Sequence, residues 1–126
     1  MPKPAALTNG DFEHELAAQL LKAEAQRHQY AIQFEVDVGG VRIDAVLTHK
    51  QTGQKICCQM GISKPHHEVD SIEKFFGLPI SKTAKFVLIA RDVAFAKDLK
   101  KHFKARKTTD VIVKQVHVRL LADLIK

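Results

Sequence analysis

The chain has no tryptophan and a single tyrosine, Tyr30, against seven phenylalanines. So few rings for base stacking argue against a single-strand nucleic-acid binder built on aromatic platforms. Cysteine is as scarce, and the two present, Cys57 and Cys58, are adjacent. Neighbouring cysteines are poorly placed for an ordinary disulfide, which bridges distinct stretches of backbone, so the pattern fits a reducing compartment. No apolar run approaches the length of a membrane-spanning helix. The stretch from Met1 to Leu7 carries neither the apolar core of a secretory signal nor the Arg and Ser bias of a transit peptide, and cytoplasmic is the expected location. Of six glycines only Gly39 and Gly40 are neighbours, and they read as a hairpin turn, so no Gly-rich phosphate cradle is present.

What is there is an ordinary folding composition, 45% apolar and 27% charged over 126 residues, which suits one compact domain. That domain is expected over residues 11–126, behind a flexible leader of residues 1–10. Twenty Lys and Arg face fourteen Asp and Glu, a net charge of +6 with a pI near 9.4. From Lys64 through Lys107 there are eleven basic and five acidic residues and the rest holds nine of each, so the whole excess sits in this stretch. Its densest part is Lys97, Lys100, Lys101, Lys104, Arg106 and Lys107, opposed only by Asp98. A surface of this kind binds phosphate, although lysines on a solvated helix face need no partner at all.

Periodicity orders the elements. A helix capped by Thr8 or Asn9 runs from about Asp11 to His28, with Phe12, Leu16 and Leu20 as its inward stripe. Strict alternation predicts a strand from Ala31 to Val38. Strands from Val41 to Thr48 and Gln54 to Ile62 complete a meander. Pro65 introduces a helix over His66 to Phe76, with Val69, Ile72 and Phe76 inward, stopped by Gly77 and Pro79. The continuous apolar run from Phe86 to Ala90 predicts a central strand, parallel to its predecessor through that helix. Asp92 caps a helix with Val93, Ala96, Leu99 and Phe103 inward, Asp110 to His117 reads as a strand, and Leu120 to Ile125 as a terminal helix. The order αβββαβαβα describes an α/β fold, a mixed central sheet flanked by helices.

Three polar residues interrupt this pattern. On a helical wheel Glu13 falls inside the apolar arc of the first helix, whereas Glu15 lies near its edge. Alternation in strand two places Val41, Ile43, Ala45 and Leu47 on one face and Arg42, Asp44 and Val46 on the other, so Asp44 stands mid-strand, where aspartate is disfavoured. In strand three Gln59 and Gly61 share a face. Oxygen ligands converging from a helix and two adjacent strands are what Mg²⁺ requires. The plainer reading pairs Asp44 with Arg42 or a loop lysine, lets Gln59 bond a loop, and leaves Glu13 at the surface.

The order αβββαβ, with FEHELAAQLL in the opening helix, VRIDAVL in strand two and KICCQMGIS in strand three, resembles the PD-(D/E)XK nucleases, a superfamily of restriction enzymes, Holliday-junction resolvases and repair nucleases. The resemblance implies a restriction-endonuclease-like fold in which Asp44 matches the metal-binding Asp. It puts Gln59 at the acidic ligand position, Gly61 at the lysine position, and Glu13 or Glu15 at the helix position. Gln59 brings no negative charge to Mg²⁺ and Gly61 no ammonium, so Lys64 or Lys74 would have to serve in its place. Losing both strand-three groups implies a degenerate site on a domain that binds nucleic acid, DNA above all, in duplex or structured form. The alternatives are an active Mg²⁺-dependent endonuclease with a relocated lysine, or a non-catalytic interaction module of a DNA-transfer or repair assembly. A homodimer is compatible with each.

A zinc reading of Cys57, Cys58, His66 and His67 fails on spacing, since adjacent pairs do not give the usual ligand intervals and alternation sends the two thiols to opposite faces. A Cys57–His nucleophilic pair lacks an orienting motif.

Overall fold

The computed structural model describes residues 9–61, 65–108 and 110–124, and the side chains of residues 15–61, 67–108 and 110–124. Its elements are α1 (Asn9–Arg27), β1 (Tyr30–Val38), β2 (Val41–His49), β3 (Lys55–Gly61), α2 (Pro65–Phe76), β4 (Lys85–Ala90), α3 (Val93–Ala105), α4 (Asp110–Gln115) and β5 (Val116–Leu120). Short 3₁₀ turns occupy Pro79–Lys82 and Leu121–Leu124. The strands form one five-stranded sheet in chain order, with β1, β2 and β3 antiparallel to their neighbours and β3, β4 and β5 parallel. It is thus the expected α/β fold, a mixed sheet with helices on both sides. No helix among the described residues is long and apolar enough to cross a membrane.

Each face of the sheet carries its own core. On one, α1 lays Ala17, Leu21 and Ala25 against Ala45, Leu47, Cys58, Met60 and Ile89, and Leu121 and Leu124 close the end. On the other, α2 contributes Val69, Ile72 and Phe75 and α3 contributes Leu99 and Phe103, over Cys57, Phe86 and Leu88. Among the described side chains the α1 stripe is Ala17, Leu21 and Ala25 rather than Leu16 and Leu20, and the Phe12 side chain lies outside them. Small residues let the helix approach the strands closely, and Leu20 packs only at the margin. On α3 the cap at Asp92 holds, its carboxylate accepting from the Phe95 N–H at 2.8 Å. Its buried residues are Phe95, Leu99 and Phe103, while Val93 is exposed.

Two further expectations change at the C-terminal end. The stretch predicted as a strand from Asp110 to His117 is a helix to Gln115 followed by β5, and the terminal helix is a single 3₁₀ turn. Ile112, Val113 and Val116 pack on the second core while Val111 is exposed. That i, i+1, i+4 spacing is helical, and its tertiary contacts override the β propensity of a Val-Ile-Val run.

The β1–β2 hairpin departs from simple alternation. Tyr30, Ile32, Ala45 and Leu47 join the α1 core, whereas Val36, Val38, Val41 and Ile43 join the α2–α3 core. Strict period-two strands would keep Ile43 and Ala45 on one face. The register is continuous from Tyr30↔His49 to Val38↔Val41, but no Glu35–Asp44 pair is formed, and Glu35 has φ 54°. One left-handed residue rolls the outer half of the ribbon over. The Gly39-Gly40 turn, at φ 59° and 88°, is thereby brought against Leu78, whose Cδ2 lies 2.9 Å from where a Gly39 Cβ would stand.

At the opposite edge, Arg119 of β5 grips Glu24 of α1 through two parallel bonds, Nη1 to Oε1 at 2.6 Å and Nη2 to Oε2 at 3.0 Å. This guanidinium holds the Glu24 carboxyl below its usual value, against the opposing effect of burial. A depressed carboxylate stabilises the fold above its unfolded value and loses that contribution as pH falls through the folded one. Glu24→Gln should therefore cost about 1–3 kcal/mol at neutral pH, and its deficit relative to wild type should shrink below the ordinary glutamate value of 4.5. Urea denaturation of both proteins across acidic pH checks this, and a constant deficit refutes it.

Candidate functional site

The ladder between β2 and β3 runs from Thr48↔Lys55 to Ala45↔Cys58 and stops where the hairpin rolls away. Past that point β2 and β3 carry backbone groups that no longer meet across the strands, and two side chains replace the ladder. Gln59 Oε1 accepts from the Asp44 N–H at 2.7 Å, and Gln59 Nε2 donates to the Arg42 carbonyl at 3.3 Å. In return Asp44 Oδ2 accepts from the Met60 N–H at 2.7 Å. Gln59, 5% exposed, is the one buried polar side chain among the described residues. A buried amide is tolerated when both its ends are bonded, and here each end meets a partner of the right polarity. A glutamate could not do this, because its second oxygen would face the Arg42 carbonyl.

Gly61 follows on the same face, and the space beyond it is filled. A Cβ there would lie 2.8 Å from Phe95 Cε1 and 3.2 Å from Leu88 Cδ1. No lysine fits this position while Phe95 keeps its place on α3. Both ends of the amide are bonded to β2, and Asp44 supplies the single carboxylate of the pair. Among the described residues no group of three His, Cys, Asp or Glu could hold a metal.

The other predicted members are dispersed. The Glu13 side chain lies outside the described residues, as do Lys64 and the side chain of His66. Glu15 is exposed. Lys74 sits exposed in the last turn of α2, about 14 Å of helix from its start. Arg42 pairs with Glu35 at 2.8 Å. Cys57 and Cys58 are buried in opposite cores, as alternation required, and burial pushes the Cys58 thiol up to about 12. Burial likewise raises Cys57. Thiols kept protonated are poor nucleophiles and poor metal ligands.

The basic stretch resolves into two parts. Lys97, Lys100, Lys101 and Lys104 are exposed and fall within about 100° of the α3 wheel, opposite Phe95, Leu99 and Phe103. Arg106 does not belong with them. It continues the buried stripe three residues after Phe103 and is turned onto α2, where it pairs with Asp70 and, at 2.8 Å, with Glu73. Lys107 is held left-handed at φ 55° where the helix ends. Its N–H bonds the Lys104 carbonyl and the Thr108 N–H bonds that of Phe103, the usual closure for a glycine. Lys100, Lys104 and Lys107 line a groove of about 270 Å³ with Asp110 and Val113 of α4.

Compared with family models, with curated proteins and with solved structures, the chain matches none of them.

The bridging role makes Gln59→Glu a destabilising change, although it recreates the acidic ligand of the nuclease pattern. A loss of about 1–3 kcal/mol is expected at neutral pH from the unpaired Arg42 carbonyl and the added charge beside Asp44. Gly61→Ala should cost a similar amount by overpacking Phe95. Chemical denaturation measures both, and wild-type stability in either variant would refute the corresponding contact.

Proposed function

We propose that the chain is a nucleic-acid-binding domain, directed at duplex or structured DNA, with a PD-(D/E)XK-like arrangement whose cleavage groups are lost. The observation that carries this reading is the lysine face of α3. Four ammonium groups stand in a stripe about 10 Å long on a rigid helix anchored by Phe95, Leu99 and Phe103. Arg106 fixes the helix to α2 from behind, so the stripe is presented without being used in packing. Such a surface neutralises phosphates and reads no bases, which suits a chain with little aromatic surface.

The state of Asp44, Gln59 and Gly61 supports binding without cleavage. Phosphodiester hydrolysis in this superfamily needs a metal between the strand-two and strand-three oxygens and an ammonium beside the attacking water. Here those oxygens brace a strand junction, and an aromatic ring occupies the space of the ammonium.

Binding should weaken steeply with salt, with a log–log slope near about −4 if each lysine of the stripe displaces one counterion. Reversing Lys97, Lys101 and Lys104 to glutamate should lower affinity for unrelated sequences about equally, by about tenfold or more at low salt. Fluorescence anisotropy with two duplexes of different sequence measures both effects, and a flat salt dependence refutes the reading. Plasmid DNA should survive incubation with Mg²⁺ or Mn²⁺. Cleavage abolished by Asp44→Ala would instead establish the Mg²⁺-dependent nuclease.

A further inference from the structure

The lysine stripe of α3 ends at Lys104, and Lys107 stands beyond the helix in a backbone conformation that lysine seldom adopts, φ 55°. The closure around it is the one that glycine normally completes: the Thr108 N–H bonds the Phe103 carbonyl at 3.0 Å and the Lys107 N–H bonds that of Lys104 at 3.1 Å. Glycine would hold both bonds without the steric cost of a Cβ in the left-handed region. Among the described residues nothing offsets this cost, since the Lys107 side chain is exposed and its ammonium has no hydrogen-bond or ion-pair partner. The negative end of the helix dipole is already met by His102 and Lys104 in the last turn. The carbonyls of His102, Phe103 and Lys104 accept from the closing N–H groups, so none of them awaits the ammonium.

The surroundings of Lys107 are concave and positive. Lys100 and Lys104 stand about one turn apart on α3, and the left-handed turn brings Lys107 to the same groove from beyond the helix end. Three ammonium groups and the single carboxylate of Asp110 line it, an excess of two positive charges. Glu73, which Thr108 touches, is turned away to the Thr108 hydroxyl at 3.1 Å and to Arg106 at 2.8 Å. Lys97 and Lys101 lie outside the groove. Its volume of about 270 Å³ falls below the range of about 300–1,000 Å³ typical of drug-sized ligand sites, which suits one small anionic group. Ammonium groups of this kind hold phosphate as point charges, without demanding a fixed donor fork.

Resting on the nucleic-acid reading above, we infer that the groove between α3 and α4 is a phosphate seat, in which Lys107 with Lys100 and Lys104 holds a single phosphate group of the bound strand. The left-handed backbone at Lys107 is kept for that contact, as strained residues are where a ligand requires them. Lys97 and Lys101 supply general attraction along the stripe, whereas the seat fixes one phosphate and with it the position of the strand. A free phosphate compound offers the same chemistry, and the two sources are separable by competition. Lys107→Gly removes the strain and the charge together, so stability and binding should move in opposite directions.

The test titrates inorganic phosphate at constant ionic strength and follows the backbone amides by NMR. Wild type should show a saturable one-site response at Lys104, Lys107, Thr108 and Asp110. Lys107→Gly should weaken it about tenfold, the loss of one charge-assisted hydrogen bond, while Lys97→Gln with Lys101→Gln should change it by less than about twofold because distant exposed charges are screened. The urea midpoint of Lys107→Gly should equal or exceed that of wild type. A lower midpoint, no saturable response, or a response that Lys107→Gly leaves unchanged overturns the inference, and the duplex reading then still stands on its own salt dependence. Saturating phosphate should also weaken binding of a DNA duplex about as much as Lys107→Gly does, read by fluorescence anisotropy at equal ionic strength. Phosphate that fills the groove without displacing duplex overturns the strand as its source and assigns the seat to a free phosphate compound. A protein that binds phosphate in this way but no DNA overturns the nucleic-acid reading instead.

Discussion

Where β2 leaves β3, three part-buried backbone groups would lose their strand partners had the ladder merely ended. The Gln59 amide and the Asp44 carboxylate meet all three, and the outer half of the hairpin is free to roll because they do. That roll carries Val36, Val38, Val41 and Ile43 onto α2 and α3 and seats the Gly39-Gly40 turn on Leu78. The second core therefore depends on a polar junction in the middle of the sheet. Hydrogen bonds of this kind are worth little net when made and much when broken, since each orphaned group keeps its full desolvation cost.

The same junction accounts for the residue types at positions 59 and 61. A carboxylate at position 59 would accept at both oxygens, but a bridge between an N–H and a C=O must accept at one end and donate at the other. Glutamine is the side chain of that length that does so. Glycine at 61 lets Phe95 close over the strand end, which a lysine would hold open. Both residues serve packing at the sheet junction.

The basic face of the molecule is built by division of labour along α3. One side, Phe95, Leu99, Phe103 and then Arg106, fixes the helix to the sheet and to α2. The other presents Lys97, Lys100, Lys101 and Lys104 to solvent. Because the anchoring side is finished with a salt-bridged arginine rather than a further apolar residue, the local charge count overstates what is available to a ligand.

The sequence by itself determined the meander, the crossover helix, the buried interior strand β4, which lies one place from the sheet's centre, and the confinement of excess charge to the stretch from Lys64 to Lys107, because periodicity and composition act locally. It also placed Cys57 and Cys58 on opposite faces, since alternation holds wherever a strand is regular. Tertiary structure alone decided what lies where alternation breaks. No local signal announced the left-handed Glu35, so the opposing faces of Ile43 and Ala45 could not be read, nor could the use of Asp44 and Gln59 as braces. The Val-Ile-Val run of α4 looked like a strand because its propensity is that of a strand, and only the second core made helical spacing the better burial. The pairing of Arg106 with Asp70 and Glu73, more than thirty residues earlier in the chain, was likewise beyond local pattern. Local pattern sets which elements form, but the partner of a polar side chain is a long-range property of the fold.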